Sequence, residues 1–215
     1  MEALLQILLI PKRWKFRRKR KGTRRASYSL IASLRARCEE VKRAESETYF
    51  GIYNAGLFVV LLDRDISTYN ESILFARSQW HRQFHARNLA VLLYEAAEDL
   101  PELLGKIYRS WLVDLELGQD WLDALGRITK QISHFKKSHN SFLNDVRNYV
   151  GAHRDHNALS QASMLDGLDP LAIYELAGEL WVPVRALADY NTKLLKYMHN
   201  PGVMLKHACK VADRA

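Results

Sequence analysis

The feature that most limits this chain is a seam of residues, Trp121, Leu125, Ile128, Ile132, Phe135, His139, Phe142, Val146 and Tyr149, spaced alternately four and three apart. Side chains three and four residues apart overlap after one turn of an α-helix, so the seam is one continuous stripe down about eight turns. A stripe of that length needs a partner along its whole side. The helix is therefore expected to be the central stave of a bundle.

The rest of the chain from Ala26 onward follows the same period. Leu30, Leu34, Cys38 and Val41 form one apolar stripe, and "GIYNAGLFVVLL" is apolar all round, as a buried helix or a compact connector. A segment from about Asn70 to Asp99 carries Ile73, Trp80, Phe84 and Val91. Leu104, Ile107, Trp111 and Leu115 make a further helix, which Gly118 is expected to end. After the polar link "NALSQASMLDGLDP", Asp169 offers a side-chain cap and Pro170 takes the one helical position where proline is harmless. Ile173, Leu176, Leu180, Val184, Leu187, Asn191, Leu194 and Met198 then run to "HNPG", with Pro183 expected to kink the helix. No run of β-branched residues alternates with a period of two. The expectation is an all-α bundle of about five or six helices, one domain over residues 26–200, with 201–215 as a tail.

The net charge of +8 is local. Residues 1–25 hold ten of the 32 Lys and Arg but one of the 24 acids, so the remaining body carries 22 bases against 23 acids and is close to neutral. This arm, "MEALLQILLIPKRWKFRRKRKGTRR", opens on an apolar run expected to stop at Pro11 and continues as a basic block. Lys12, Arg13, Lys15, Arg17 and Arg18 suit phosphates, and Trp14 suits stacking on a base. Contact with an anionic membrane surface is a second reading, and an unstructured, solvated tail a third. No segment approaches the ~18 to 20 apolar residues of a membrane span. Two cysteines far apart, Cys38 and Cys209, suggest neither a disulfide framework nor a zinc site, which fits a reducing cytoplasm.

The chemistry-bearing residues gather at the end of the long seam, in "FLNDVRNYVGAHRDHN". His153 and His156 continue the seam in steps of four and three, whereas Arg147 lies on a neighbouring stripe with Leu143, Val150 and Arg154. In an unbroken helix Arg147 and His153 point about 120° apart. Gly151 between them permits a bend, and a twofold axis near this spot is a second way to bring Arg and His together.

"VRNYVGAH", an arginine followed by a polar asparagine and by a histidine after five intervening residues, resembles the Rx4-6H signature of the HEPN superfamily. The resemblance covers roughly Tyr69 to Met198 as architecture and matches Arg147, Asn148 and His153 as motif. It implies a metal-independent endoribonuclease of the toxin or phage-defence kind, working as a homodimer on RNA without a cofactor, with a nucleotidyltransferase antitoxin as a cognate partner. His153 would then be the base that takes the 2′-hydroxyl proton, and Arg147 the cation that holds the phosphate, with Asn148 orienting either. Arg154, Lys136 and Lys137 lie near enough to touch RNA phosphates. The alternative is a HEPN-like binding or regulatory module without catalysis, in which the Arg and His are structural.

Metal binding is the competing chemistry. His153, Asp155 and His156 do not share a helical face, and His81 and His85, four residues apart, lack the glutamate of a zinc-protease motif. His139 interrupts the seam and is expected to be a hydrogen-bonded core histidine.

Overall fold

The computed structural model describes residues 2–150 and 158–203. Among them are seven α-helices: α1 Glu2–Arg43, α2 Glu47–Leu74, α3 Gln79–Leu103, α4 Lys106–Asp114, α5 Gln119–Val150, α6 Ala158–Gly167 and α7 Pro170–Met198. The protein is an all-α helical bundle, with no strand among the described residues. No described helix is long and apolar enough to cross a membrane.

Four helices, α2, α3, α5 and α7, enclose the core; α1 lies outside against α2, and α6 rests on α5. Each core helix contributes one buried face: Ile52, Val59 and Ile66 from α2, Leu89, Leu93 and Leu100 from α3, Leu125 and Ile132 from α5, Ile173, Leu180 and Leu187 from α7. At ~25 cal/mol per Å² of apolar surface, each such side chain stabilises the bundle by roughly 1.5–3 kcal/mol.

The helix boundaries follow local chemistry. Ser78 caps α3 by accepting the His81 N–H at 3.2 Å, and the Asp169 carboxylate accepts from Leu171 N at 2.9 Å with Pro170 behind it. The break before α3 thus falls at residues 75–78, not at Asn70, and it changes which face of α3 is inside. Trp80 is 61% exposed and Phe84 is also exposed, while Ala86, Leu89, Ala90, Leu93, Ala96 and Ala97 are buried. Alanine fills the close α3 contacts, so the large aromatics are left for the outer face.

Two helix ends use the Schellman arrangement with glutamate in place of the usual glycine. Glu45 and Glu116 have φ of 53° and 57°. Glu116 N donates to Val113 O and Leu117 N to Leu112 O, with Leu112 and Leu117 both buried, so α4 ends at Asp114, four residues before Gly118. A β-carbon in the left-handed region costs about 1–2 kcal/mol, whereas glycine loses roughly 0.5–1 kcal/mol more backbone entropy on folding. Glu116→Gly should therefore gain a few tenths to about 1 kcal/mol, read as a small rise in the thermal unfolding midpoint. A lower midpoint would show that the Glu116 side chain contributes more than its backbone strain.

Residues 2–25, the basic arm, form the first part of α1, which continues through Pro11. An interior proline removes one backbone bond and bends a helix without having to end it. Arg24 forms an ion pair with Glu71, three residues before the end of α2, so α1 and α2 run antiparallel and about 33 Å of α1 lies beyond that register. Arg64 of α2 closes the same seam over the Tyr28 ring, 5.2 Å from its centre.

Candidate functional site

The seam of α5 does not stay on the core side. A strict alternation of four and three repeats every 3.5 residues, whereas a straight helix turns every 3.6, so the stripe slips by ~20° per heptad. Leu125, Ile128, Ile132 and Phe135 are buried as their spacing predicts. Two turns beyond Phe135, Phe142 is 42% exposed, and two turns further on Tyr149 is 38% exposed; of the later seam residues Val146 stays fully buried, and Leu143 of the neighbouring stripe is fully buried beside it. The inward face has turned toward the stripe that carries Arg147 and now lies between the two stripes.

This slip places Arg147 against α3. Its Nε donates to Glu95 Oε1 at 2.6 Å, and its guanidinium carbon lies 5.2 Å from the centre of the Tyr94 ring. Its side chain is 26% exposed. Eleven residues earlier, close to three full turns and so on the same face, Lys136 Nζ pairs with Glu98 Oε2 at 2.5 Å. Two cations of α5 are thus matched by two carboxylates of α3. Such part-exposed pairs each contribute up to about 1 kcal/mol, and they orient Arg147 more than they stabilise the fold.

Asp99 completes this acidic face of α3. Burial, and then the neighbouring charges of Glu95, Glu102 and Glu98, push its carboxyl above the usual carboxylate range. The Arg147 guanidinium therefore stands at the edge of a negative surface. A phosphate reaching it has to compete with Glu95.

The other expected site residues are more dispersed. Asn148 and Lys137 are exposed on α5, and Arg18 is exposed on α1. Lys12, Arg13, Trp14, Lys15 and Arg17 fall on the helical backbone of α1, and their side chains lie outside the described part. His153 and Arg154, with Gly151, Asp155 and His156, lie outside the described residues, directly after the end of α5. His139 is half-buried; its Nε2 meets Glu179 Oε2 of α7 at 2.9 Å, and its ring centre is 4.9 Å from that of Phe135.

Glu95 also faces a second feature. On its other side α2 and α3 form a groove of mixed character, with Asp65, Tyr69, His85 and Asn88 beside Val91 and Leu92, that reaches Glu95. The groove residues of α3, His85, Asn88, Leu92 and Glu95, step by three, four and three, and so share one face. The His85 ring is bracketed by Tyr69, 6.3 Å away, and Phe84, 5.4 Å away, and its Nδ1 is buried without a hydrogen-bond partner among the described atoms. Burial, helped by His81, holds its pKa below the usual 6.5, so the ring is neutral at pH 7. Asn88 gives its amide to Phe84 O at 2.6 Å. That leaves its carbonyl oxygen as the group able to accept from a ligand.

Glu95 and Tyr94 on one side, and the Asp65–His85 groove on the other, are not readable from spacing. Both depend on which helix lies beside which. His81 is exposed, and no group of three or more His, Cys, Asp or Glu side chains is placed to hold a metal among the described residues. Comparison of the chain with known protein families, with characterised proteins and with solved structures finds no match.

Proposed function

We propose that the protein is a metal-independent endoribonuclease of HEPN type, working as a homodimer in a toxin or phage-defence role in the cytoplasm. The observation that carries the reading is the placement of Arg147. It stands in the last described turn of the longest core helix, held by Glu95 and Tyr94, with Asn148 exposed beside it and the motif histidine six positions further along the sequence. A guanidinium that is fixed on two sides and a quarter exposed has donors left for a phosphate, because arginine carries five N–H groups and Nε uses one.

The reaction divides between two side chains. His153, which enters on the sequence motif, takes the proton of the ribose 2′-hydroxyl; the freed oxygen bonds to phosphorus as the bond from phosphorus to the 5′-oxygen of the next nucleotide breaks, and that oxygen takes a proton from water. The products are a 2′,3′-cyclic phosphate end and a free 5′-hydroxyl. Arg147 stabilises the negative charge that builds on the phosphoryl oxygens. The partners implied are RNA, a second copy of the chain and a nucleotidyltransferase antitoxin.

A second reading has its own support. Glu95 already neutralises Arg147, as expected if the arginine ties α5 to α3 in a binding or regulatory module without catalysis. One experiment separates the two. Purified protein incubated with RNA in EDTA should cleave it and leave cyclic phosphate ends, and Arg147→Ala and His153→Ala should each slow cleavage by about 100-fold or more. Cleavage that persists in both variants overturns the nuclease assignment, and no cleavage of any RNA by the native protein favours the module.

A further inference from the structure

We propose that the outward face of α5 is a track for single-stranded RNA, with backbone phosphates seated on Arg109, Arg127 and Lys130 in the groove between α4 and α5 and led past Lys137 toward Asn148. The inference rests on the reading of Arg147 as a phosphate-binding group and extends it to the path by which a longer RNA reaches that group.

The charge along α5 is one-sided. Outside the basic arm the protein is close to neutral, yet residues 124–144 contain four Lys and Arg and no Asp or Glu. Arg127, Lys130, His134 and Lys137 step by three, four and three, and the same stripe continues through neutral polar residues to Asn148. These five side chains are exposed, on the side of α5 opposite the buried Ile128 and Ile132. From Arg127 to Asn148 the stripe runs 21 positions, about 31 Å at 1.5 Å per residue. Its slip of ~20° per heptad carries it toward the side of α5 on which Arg147 stands.

At its first end the stripe meets α4. Arg109, Ser110 and Val113 of α4 face Asp123, Arg127 and Lys130 of α5 across an open groove. Among the described residues no ion pair holds Arg109, Arg127, Lys130 or Lys137. They differ in this from Lys136 and Arg147, whose charges are met by Glu98 and Glu95. The one acid of the groove, Asp123, accepts the side-chain amide of Gln119 at 2.9 Å. Three cations thus stand against a single carboxylate, and their charge is left for a ligand to neutralise.

The make-up of the stripe selects the partner. A helix that lies in a membrane surface inserts apolar side chains, and this stripe has none. A single strand of RNA presents one phosphate per nucleotide along a line, which suits cations set along a helix axis. The far end, beside Arg147, favours such a chain of phosphates over an acidic polypeptide. No aromatic side chain lies on the stripe to stack on a base, so the track takes hold of the backbone and not of the sequence.

The test is binding of a short RNA oligomer with 2′-O-methyl riboses, which cannot form a cyclic phosphate, to the full chain at several salt concentrations, read by fluorescence anisotropy. Arg127→Gln combined with Lys130→Gln should weaken binding several-fold and flatten the dependence of log Kd on log salt by about 1.4, at roughly 0.7 for each phosphate contact of a single strand. The loss should be the same for oligomers of different sequence. Asp123→Asn should tighten binding. Lys42→Gln combined with Arg43→Gln removes the same charge from exposed positions at the end of α1 and should leave affinity and salt slope nearly unchanged. Equal losses in the two double variants reduce the effect to net charge and overturn the track, as does native RNA binding by the Arg127 and Lys130 variant. A dependence on Arg127 and Lys130 that holds for polyglutamate or for phosphatidylserine-rich vesicles, with RNA binding intact, gives the face another partner and also overturns it. RNA binding that needs Arg127 and Lys130 in a protein that cleaves no RNA keeps the track and sinks the nuclease. Cleavage of unmodified RNA at the native KM by the same double variant keeps the nuclease and sinks the track.

Discussion

Gly51→Ala should destabilise the protein by about 3 kcal/mol and loosen α4 from the bundle. On an ordinary helix the same change stabilises, by roughly 0.5–1 kcal/mol, because alanine loses less backbone entropy on folding. Here the Trp111 ring of α4 lies flat against the α-carbon of α2, and a β-carbon at Gly51 would meet ring atoms Cζ3, Cη2 and Cε3. A rigid, partly buried indole packed against the core cannot swing aside as the end of a flexible chain can, so α4 has to move, and overpacking of this kind costs about 1–3 kcal/mol or more. A chemical-denaturation midpoint measures the loss. Trp111→Leu in the same chain should recover part of it, and a Gly51→Ala protein as stable as the native one would show that α2 and α4 do not approach this closely.

Leu143→Ala should cost about 2–5 kcal/mol, whereas Phe142→Ala, one residue away and a larger truncation, should cost under about 1 kcal/mol. Leu143 is fully buried and Phe142 is 42% exposed. The spacing of the seam taken alone orders them the other way, since Phe142 belongs to the stripe and Leu143 does not. Thermal or denaturant unfolding of the two single variants decides between them. Equal losses would mean that α5 supercoils enough to keep its 3.5-residue seam inward.

The same contrast marks how far periodicity reaches. Existence and type of the helices are legible because burying one face of a helix demands apolar residues every three or four positions, and Asp169–Pro170 carries its own start signal. The number of helices is less legible: the spacing announces α4, but α6 falls in what reads as a polar link and the break at Ser78 depends on a cap, and among the described residues seven helices stand where about five or six were expected. Faces are legible only over two or three heptads, after which the 0.1-residue mismatch between 3.5 and 3.6 turns the seam away. Trp80 and Phe84 show a second limit, since large apolar residues dominate a pattern while the alanines that let α3 pack closely do not.

The candidate site divides in the same manner. Arg147, Asn148 and His153 are visible because they lie close in sequence at the end of a strong helix. Glu95, Tyr94, Asp65 and His85 are 52 or more positions from Arg147, and no local pattern links them to it. A pairing between helices depends on registry, and registry is set by the whole core. Lys136 illustrates the consequence: a surface cation by its position in the sequence is a partner of Glu98 in the fold.

Glu95 is shared between two neighbouring features of α3. Its carboxylate answers Arg147 on one side and faces the α2–α3 groove on the other. An anion that draws the guanidinium off Glu95 leaves a bare negative charge at the mouth of the groove, so seating a phosphate makes the groove more attractive to hydrogen-bond donors and less so to a second anion. Linkage makes the effect reciprocal: a donor-rich ligand in the groove that engages Glu95 releases Arg147 and raises its affinity for phosphate by the same factor. A counter-ion shared in this way would link an anion at Arg147 to a donor in the groove without any helix having to move.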